Sequence, residues 1–317
     1  MTKITSYLDA SQGKTLFSIE IIPPMKGQHL GDLMSHIEPL MEFKPPFIEV
    51  TYHREEYIEK IVDGVSKRIP IRKRPGTLGI CASIMQKFHV EAVPHVICGG
   101  FTKEETEDFL IDLHYLGIEN ALILRGDQEK GEDRFVPKPG GHAYANELVE
   151  QVKAMNQGIL LHEETESLPT NFCIGVAAYP EKHFEAVSLE EDMRYLKQKV
   201  DAGADYIVTQ MFFDNQKYFD FVAKCRQMDI HVPIIPGLKP LATARQLEIL
   251  PEIFHLEIPE ILAKEVRACK DNAAIKQVGI EWAIQQGKEL IQAQVPALHF
   301  YTMSKSDSVR AIAKKLF

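Results

Sequence analysis

FSIEIIPP (17–24) reads as a short buried strand. Phe17, Ile19, Ile21 and Ile22 are apolar, and two prolines close the run because neither can continue a hydrogen-bonded ladder. One carboxylate, Glu20, sits inside it. An ionised Glu on a buried strand costs several kcal/mol unless it is paired, and otherwise it takes up a proton. Two readings therefore stand side by side: a Glu salt-bridged to a core cation, or a Glu whose protonation is used.

The chain around this stretch has 317 residues, which suits one large domain or two small ones; a (β/α)₈ barrel of about 250 residues plus extensions fits. Apolar residues make up 45% and charged residues 26%, an ordinary globular balance. A net charge of −9 argues against a general nucleic-acid binder, which needs a basic face. The five cysteines (Cys81, Cys98, Cys173, Cys225, Cys269) are odd in number and scattered without a CxxC pair, so neither a disulfide framework nor a zinc site is expected. Free thiols suit a reducing cytoplasm. The N-terminal MTKITSYLDASQGK has no apolar core of a leader, and no stretch approaches 18 consecutive apolar residues. A soluble, cytoplasmic protein with no membrane partner is expected.

Outward from 17–24, strand and helix patterns alternate. Strands are expected at 17–22, 47–52, 92–97, 120–127, 172–180, 205–213, 232–237 and 297–301. Helices are expected near 29–43, 54–66, 78–88, after the capping box Thr102-Lys-Glu-Glu105, at 143–156, after Ser188, at 215–228, two or three times over 243–293, and at the C-terminus. Loops are expected at 128–142 and 157–170. Eight strands, each followed by helix, imply a single-domain α/β fold, a closed (β/α)₈ TIM barrel with a short N-terminal extension over 1–317. A doubly wound open sheet is the runner-up, but no G-x-G-x-x-G follows the first strand.

In such a barrel the active site lies at the C-terminal ends of the strands. Those ends carry Glu20, Thr51 and Tyr52, His95, Arg125-Gly126-Asp127, Tyr179 with His183, Gln210, Lys239 and, past the last strand, Lys305. Each alone has a plain structural reading. His95 is compatible with a satisfied core histidine, Arg125 and Asp127 with a mutual pair, and Gln246 with the end of a Thr243-Ala-Arg-Gln246 capping box. Asp192 and Lys199, seven apart on one helix, are compatible with a solvated face. The set has no metal-ligand spacing, no mid-strand Schiff-base lysine and no nucleophile elbow. Two carboxylates among donors and aromatics suit proton transfer beside a bound organic cofactor.

FSIEIIPP, FIEVTYH, PHVICGG, LILRGD, VAAYPEKH, DAGADYIVTQMFFD, PIIPGL and LHFYT occur in this order over about 17–305, and this series resembles the methylenetetrahydrofolate reductases. The resemblance implies FAD held noncovalently at the strand ends and reduced by NADH or NADPH. Methylenetetrahydrofolate would then take the hydride, giving 5-methyltetrahydrofolate for methionine synthesis. It implies that Glu20 is the general acid that protonates N10 of the folate, and that Asp127 acts near flavin and folate. It implies that Gln210, Gln246 and Lys305 contact folate and that Thr51 contacts the nicotinamide nucleotide. The implied flavin contacts are Tyr52, His95, Arg125, Gly126, Asp127, Tyr144, Ala145, Tyr179, His183, Asp192 and Lys199.

The pattern also departs from the bacterial members. Tyr195 and Gln198 stand where an Asn and an Arg often support the cofactor's phosphates, and Lys305 replaces an Arg. His53 and Arg54 follow Tyr52 where smaller residues are common. The resemblance further implies a homo-oligomer and no C-terminal regulatory domain. A related flavin barrel, such as a proline dehydrogenase, would not need Glu20. A non-catalytic binding barrel would not need Glu20, Asp127 and Gln210 together.

Overall fold

The computed structural model describes residues 2–129, 132, 134–162, 167–303 and 305–317. Eight parallel strands close into a barrel. They are β1 (Leu16–Ile21), β2 (Phe47–Val50), β5 (Glu91–Ile97), β6 (Asn120–Leu124), β7 (Cys173–Ala178), β8 (Tyr206–Met211), β9 (Ile234–Leu238) and β10 (Ala297–Tyr301). β1 pairs in register with both β2 and β10, so the sheet has no free edge.

The strands alternate with a period of two. Phe17, Ile19, Ile21, Ile48, Val50, Val96, Ile123, Ile174, Ile207, Leu298 and Phe300 face the surrounding helices in one apolar shell. Phe47, Val93, Leu122, Cys173, Tyr206, Val208, Ile235 and Ala297 point inward and fill the lower barrel. That lower layer is closed by α1 (Ile4–Ala10), whose Ile4 and Leu8 pack into it. Asn120, the first residue of β6, holds α1 in place: its Oδ1 accepts from Ile4 N–H at 3.0 Å. The N-terminal extension is thus a helical plug, which two apolar residues in a polar stretch do not announce.

The outer layer begins with α2 (Leu30–Ile37), which tightens into a 3₁₀ turn (Glu38–Phe43) at Pro39 instead of running on to 43. It continues with α3 (Thr77–Phe88), α4 (Lys103–Tyr115), α5 (Ala145–Met155), α6 (Leu189–Asp201) and α7 (Asn215–Gln227). α8 (Gln246–Phe254), α9 (Glu260–Ala268), α10 (Asn272–Gln292) and α11 (Asp307–Leu316) complete it. Both expected caps form: Thr102 and Glu105 make the full reciprocal box, and Ser188 accepts from Glu191 N–H at 3.2 Å.

One expectation is overturned. Residues 54–66 are not helical; β3 (Glu56–Val62) and β4 (Val65–Ile71) form an antiparallel hairpin inserted after β2. The turn is Asp63-Gly64, both at positive φ (53° and 77°). This is the twist a two-residue hairpin requires and the conformation an Asp-Gly pair adopts readily. Several strands are also shorter than read, since β6 ends at Leu124 and β7 at Ala178. The loop expected over 157–170 includes residues 163–166, which lie outside the described residues. All five cysteines are free. Among the described residues no helix is long and apolar enough to cross a membrane.

Candidate active site

Two positions further along the strands, the inward face changes from apolar to ionisable. Ser18 and Glu20 of β1, Glu49 of β2, His95 of β5 and His299 of β10 meet inside the barrel. Ser18, Glu49 and His299 have no exposed surface, His95 is 5% exposed, and the Glu20 side chain, nearest the mouth, is 14% exposed. Nε2 of His95 lies 3.4 Å from Glu49 Oε2 and 3.5 Å from Glu20 Oε2. His299 Nε2 lies 3.3 Å from the same Glu49 oxygen, and its Nδ1 is 2.9 Å from Ser18 Oγ.

This geometry separates the two carboxylates. Burial lifts Glu20 to a pKa of about 7; the Glu49 charge raises it further, while His95 and Lys239 pull against it. Burial also opposes the charge on Glu49, but His299 and His95 outweigh it and hold that carboxyl below the usual range. His95 is raised despite its burial, because it bonds Glu49 and faces two acids. His299 is lowered by burial. Near neutral pH the site therefore holds an ionised Glu49, a Glu20 divided between its two forms and a His95 biased toward its charged form. Donor atoms of Glu20, Glu49 and His95 lie within 4.8 Å of one another, a spacing a small cation could bridge. In this structure His95 Nε2 is hydrogen-bonded to Glu49 Oε2, with Glu20 Oε2 at 3.5 Å from the same nitrogen.

Around Glu20 the barrel mouth carries most of the strand-end residues. Lys239 faces Glu20, and burial lowers its amine to about 8. Tyr301 donates to the Thr209 carbonyl at 2.6 Å. Thr302 clamps the Glu20 carbonyl through its hydroxyl at 2.8 Å. Thr51 contacts His53 Nε2 at 3.1 Å. The Asp127 charge acts to raise both the His53 imidazole and the Tyr179 phenol, so it lies near both at the strand ends. Gly126 makes this possible: at φ +87° it turns the chain sharply out of β6, where a side chain would be strained. Gln210 points from β8 with its Oε1 turned back onto Met211 N–H at 2.9 Å.

A second group gathers beyond β6 and β7. The Tyr179 and His183 rings meet edge-on at 4.7 Å. The His183 N–H donates to Asp192 Oδ2 at 2.8 Å. Lys199 Nζ donates to the Ala177 carbonyl at 2.5 Å, and burial lowers it to about 8. Asp192 and Lys199 are therefore drawn in and are not a solvated face. Arg125 pairs with Glu185, not with Asp127, and lies over the Phe135 ring. Burial and the Arg125 charge lower His183 to about 4.

Other expected residues lie apart from both groups. The Tyr52 hydroxyl accepts from Arg72, just past the hairpin, at 3.0 Å, and its ring packs on Phe101 and Phe109. Tyr144 is 56% exposed at the start of α5, which begins with Ala145. Gln246 at the start of α8 accepts from the N–H groups of Ala242 and Thr243 at 2.6 and 3.0 Å, the capping role its sequence allows. Lys305 is exposed in the loop after β10. Tyr195 and Gln198 face outward on α6. Glu49, His299 and Tyr301 were missed among the strand ends. The signal was present for Glu49, because an acid inside the apolar run FIEV poses the same question as Glu20.

Two surface cavities lie outside this mouth. One of about 430 Å³ runs between Lys217 and Arg267, the other of about 350 Å³ between Met25 and Ile80. Neither is lined by Glu20 or Asp127.

Comparison with known proteins gives the family. A family profile described as methylenetetrahydrofolate reductase matches residues 3–317. The 5,10-methylenetetrahydrofolate reductase of Escherichia coli is 31% identical over 306 residues, covering 96% of this chain and 92% of its own. A probable methylenetetrahydrofolate reductase (NADH) of Oryza sativa is 31% identical over 97% of this chain and 49% of its own length. The corresponding probable NADPH protein of Caenorhabditis elegans is 29% identical over 99% and 44%. The chain thus spans about half the length of these plant and animal relatives. Among solved structures, an uncharacterized protein from Clostridium thermocellum that binds two copies of 5-methyl-5,6,7,8-tetrahydrofolic acid superposes with a TM-score of 0.57 at 13% identity. It covers 98% of each chain, a likeness of fold. With the profile matching nearly every residue and the bacterial relative covered almost end to end, this chain belongs to the methylenetetrahydrofolate reductase family.

Proposed function

We propose that the protein reduces 5,10-methylenetetrahydrofolate to 5-methyltetrahydrofolate with NADH or NADPH, by a ping-pong hydride transfer through FAD that feeds methionine synthesis. The observation that carries this reading is Glu20, a carboxyl with a pKa of about 7 at the barrel mouth. It can hold a proton at neutral pH and give it to N10 of the folate, opening the ring for hydride transfer. Asp127, at the strand ends, holds the pterin. Gln210 offers its amide NH₂ to each substrate, since its carbonyl is already engaged. Thr51 contacts the nicotinamide nucleotide, and Gln246 and Lys305 contact the folate.

The residues present fit FAD. Arg54 Nη2 is buried without a hydrogen-bond partner, and its guanidinium lies over Gly99, where a Cβ would come within 3.4 Å of it. With Arg125 and Lys199 as further cations and the His183 imidazole as a neutral hydrogen-bonding group alongside, this is a strip suited to a diphosphate. FAD when bound supplies the two-electron carrier that accepts hydride from one substrate and returns it to the other. Family membership supports a homo-oligomeric, cytoplasmic protein.

The test is the visible spectrum of the purified protein, followed by anaerobic addition of NADH and NADPH to separate samples. A flavin spectrum that bleaches is expected, and the nucleotide that bleaches it is the donor. A protein that stays colourless after added FAD would overturn the reading. Asp127→Asn is expected to raise the bound flavin's potential and to slow folate reduction, because it removes a negative charge that disfavours the anionic reduced form. A redox titration that shows no shift would sink that role. Lys305→Ala is expected to raise the KM for folate several-fold, roughly the worth of one exposed charge contact, with kcat little changed. An unchanged KM would place the folate's glutamate tail elsewhere.

A further inference from the structure

Glu49 and His299 are fully buried beneath Glu20. A buried carboxylate with one oxygen, Oε1, left without a hydrogen-bond partner is costly. Packing does not explain it, since an apolar residue would fill the strand more cheaply.

His95 explains it. Both carboxylates approach the same ring nitrogen, Nε2, at 3.4 Å (Glu49) and 3.5 Å (Glu20). One N–H cannot satisfy two ionised carboxylates, and two such groups sharing a donor in a low-dielectric interior do not both stay ionised. The partners decide which one yields. Glu49 has a second imidazole beside it: His299 Nε2 lies 3.3 Å from Oε2, though without a hydrogen bond, and its Nδ1 is held by Ser18. Glu20 has Lys239 and a path to solvent.

We propose that Glu49 is a positioning residue for the Glu20 proton: buried beside the His299 imidazole, it takes the His95 Nε2–H for itself and leaves Glu20 as the carboxyl that carries the proton. This rests on the reading of Glu20 as the folate's acid. Without the Glu49 charge, His95 would turn its N–H wholly to Glu20 and hold Glu20 ionised, so a proton donor would be lost. The groups facing this pair from the other strands are Tyr301 on β10, Tyr206 on β8, Lys239 after β9 and, through His95, His53 after β2. Burial keeps both phenols neutral near pH 7, so the balance lies with Glu49, His95, His299 and Lys239.

The test is an infrared titration of protonated carboxyl groups in the purified protein, without folate or nucleotide. In the parent a carboxyl should titrate near pH 7 and vanish in Glu20→Gln, which assigns it. In Glu49→Gln its midpoint should fall by about one pH unit, a tenfold loss of proton affinity. Glu49→Asp, which keeps the charge, should recover part of that shift. Histidine ¹⁵N NMR should show a charged His95 in the parent and in Glu49→Asp. An unmoved midpoint in folded Glu49→Gln would overturn the proposal. If Glu49→Gln fails to fold, the parent and Glu20→Gln still decide: a near-neutral carboxyl that persists in Glu20→Gln would put the proton on Glu49 and sink it. Normal folate turnover in Glu20→Gln would instead remove the reading of Glu20 as acid while leaving the titration intact.

Discussion

Glu20→Gln is expected to lose methylenetetrahydrofolate reduction by about two to four orders of magnitude, the usual worth of a general acid, while bound flavin is still reduced by nicotinamide nucleotide. The amide keeps the shape of the side chain and its place beside His95, but has no proton of suitable acidity to give. Stopped-flow measurement of each half-reaction separates the two. A slow flavin reduction would show that the substitution damages the site generally, and normal folate turnover would remove Glu20 from the chemistry.

The same substitution should stabilise the fold at alkaline pH. The Glu20 carboxyl has a pKa of about 7 in the folded protein against 4.5 ordinarily, so the folded state binds its proton more tightly than the unfolded state does. Its contribution is fully favourable below the unfolded pKa. It declines as pH rises from about 4.5 through 7, when an ionised, half-paired carboxylate must be kept in the barrel. A neutral Gln avoids that cost. Glu20→Gln should therefore be more stable than the parent by about 2–3 kcal/mol at pH 8, and by little at pH 4. Urea unfolding at the two pH values checks the sign, and equal gains at both would contradict a proton-linked cause.

Gly279→Ala is expected to be the most disruptive small substitution outside the mouth. Gly279 lies on the buried face of α10, where a Cβ would stand 2.0 Å from the Leu241 carbonyl oxygen and 2.8 Å from the Leu241 carbonyl carbon and nitrogen. These are backbone atoms of the segment between β9 and α8, and no rotamer change can clear them. That segment also carries Lys239, which faces Glu20, and the amides of Ala242 and Thr243 that Gln246 caps. The helix or the segment must move, at a cost of about 3 kcal/mol or more, with a shift of the mouth to follow. Gly31→Ala is the control: Gly31 is exposed in α2 with no atom near its missing Cβ. Alanine there should stabilise by up to about 1 kcal/mol through helix propensity. Equal urea midpoints for Gly279→Ala and the parent would show that α10 does not set the position of the 239–245 segment.

Some of this was legible along the chain. The eight apolar runs and the Thr102–Glu105 box are short-range features, and they appear where the local pattern puts them. The hairpin after β2 was equally legible in Asp63-Gly64 between Val62 and Val65, but a helical reading of the charged stretch before it obscured the turn. The α1 plug was not legible, because Ile4 and Leu8 acquire meaning only beneath Phe47 and Tyr206.

The site divides in the same way. Alternation with a period of two is set by the strand itself, so the sequence alone determined that Ser18, Glu20, Glu49, His95 and His299 share the inward face once their segments are strands. It did not determine which of them meet. Ser18 and His299 are 281 positions apart, and Glu49 and His95 are 46 apart. Only closure of the barrel brings them within about 3.5 Å in a low-dielectric interior, where a neighbouring charge shifts a pKa by whole units that it would scarcely move in water. The sequence determined the groups available for proton chemistry, and the tertiary structure decided which one carries the proton.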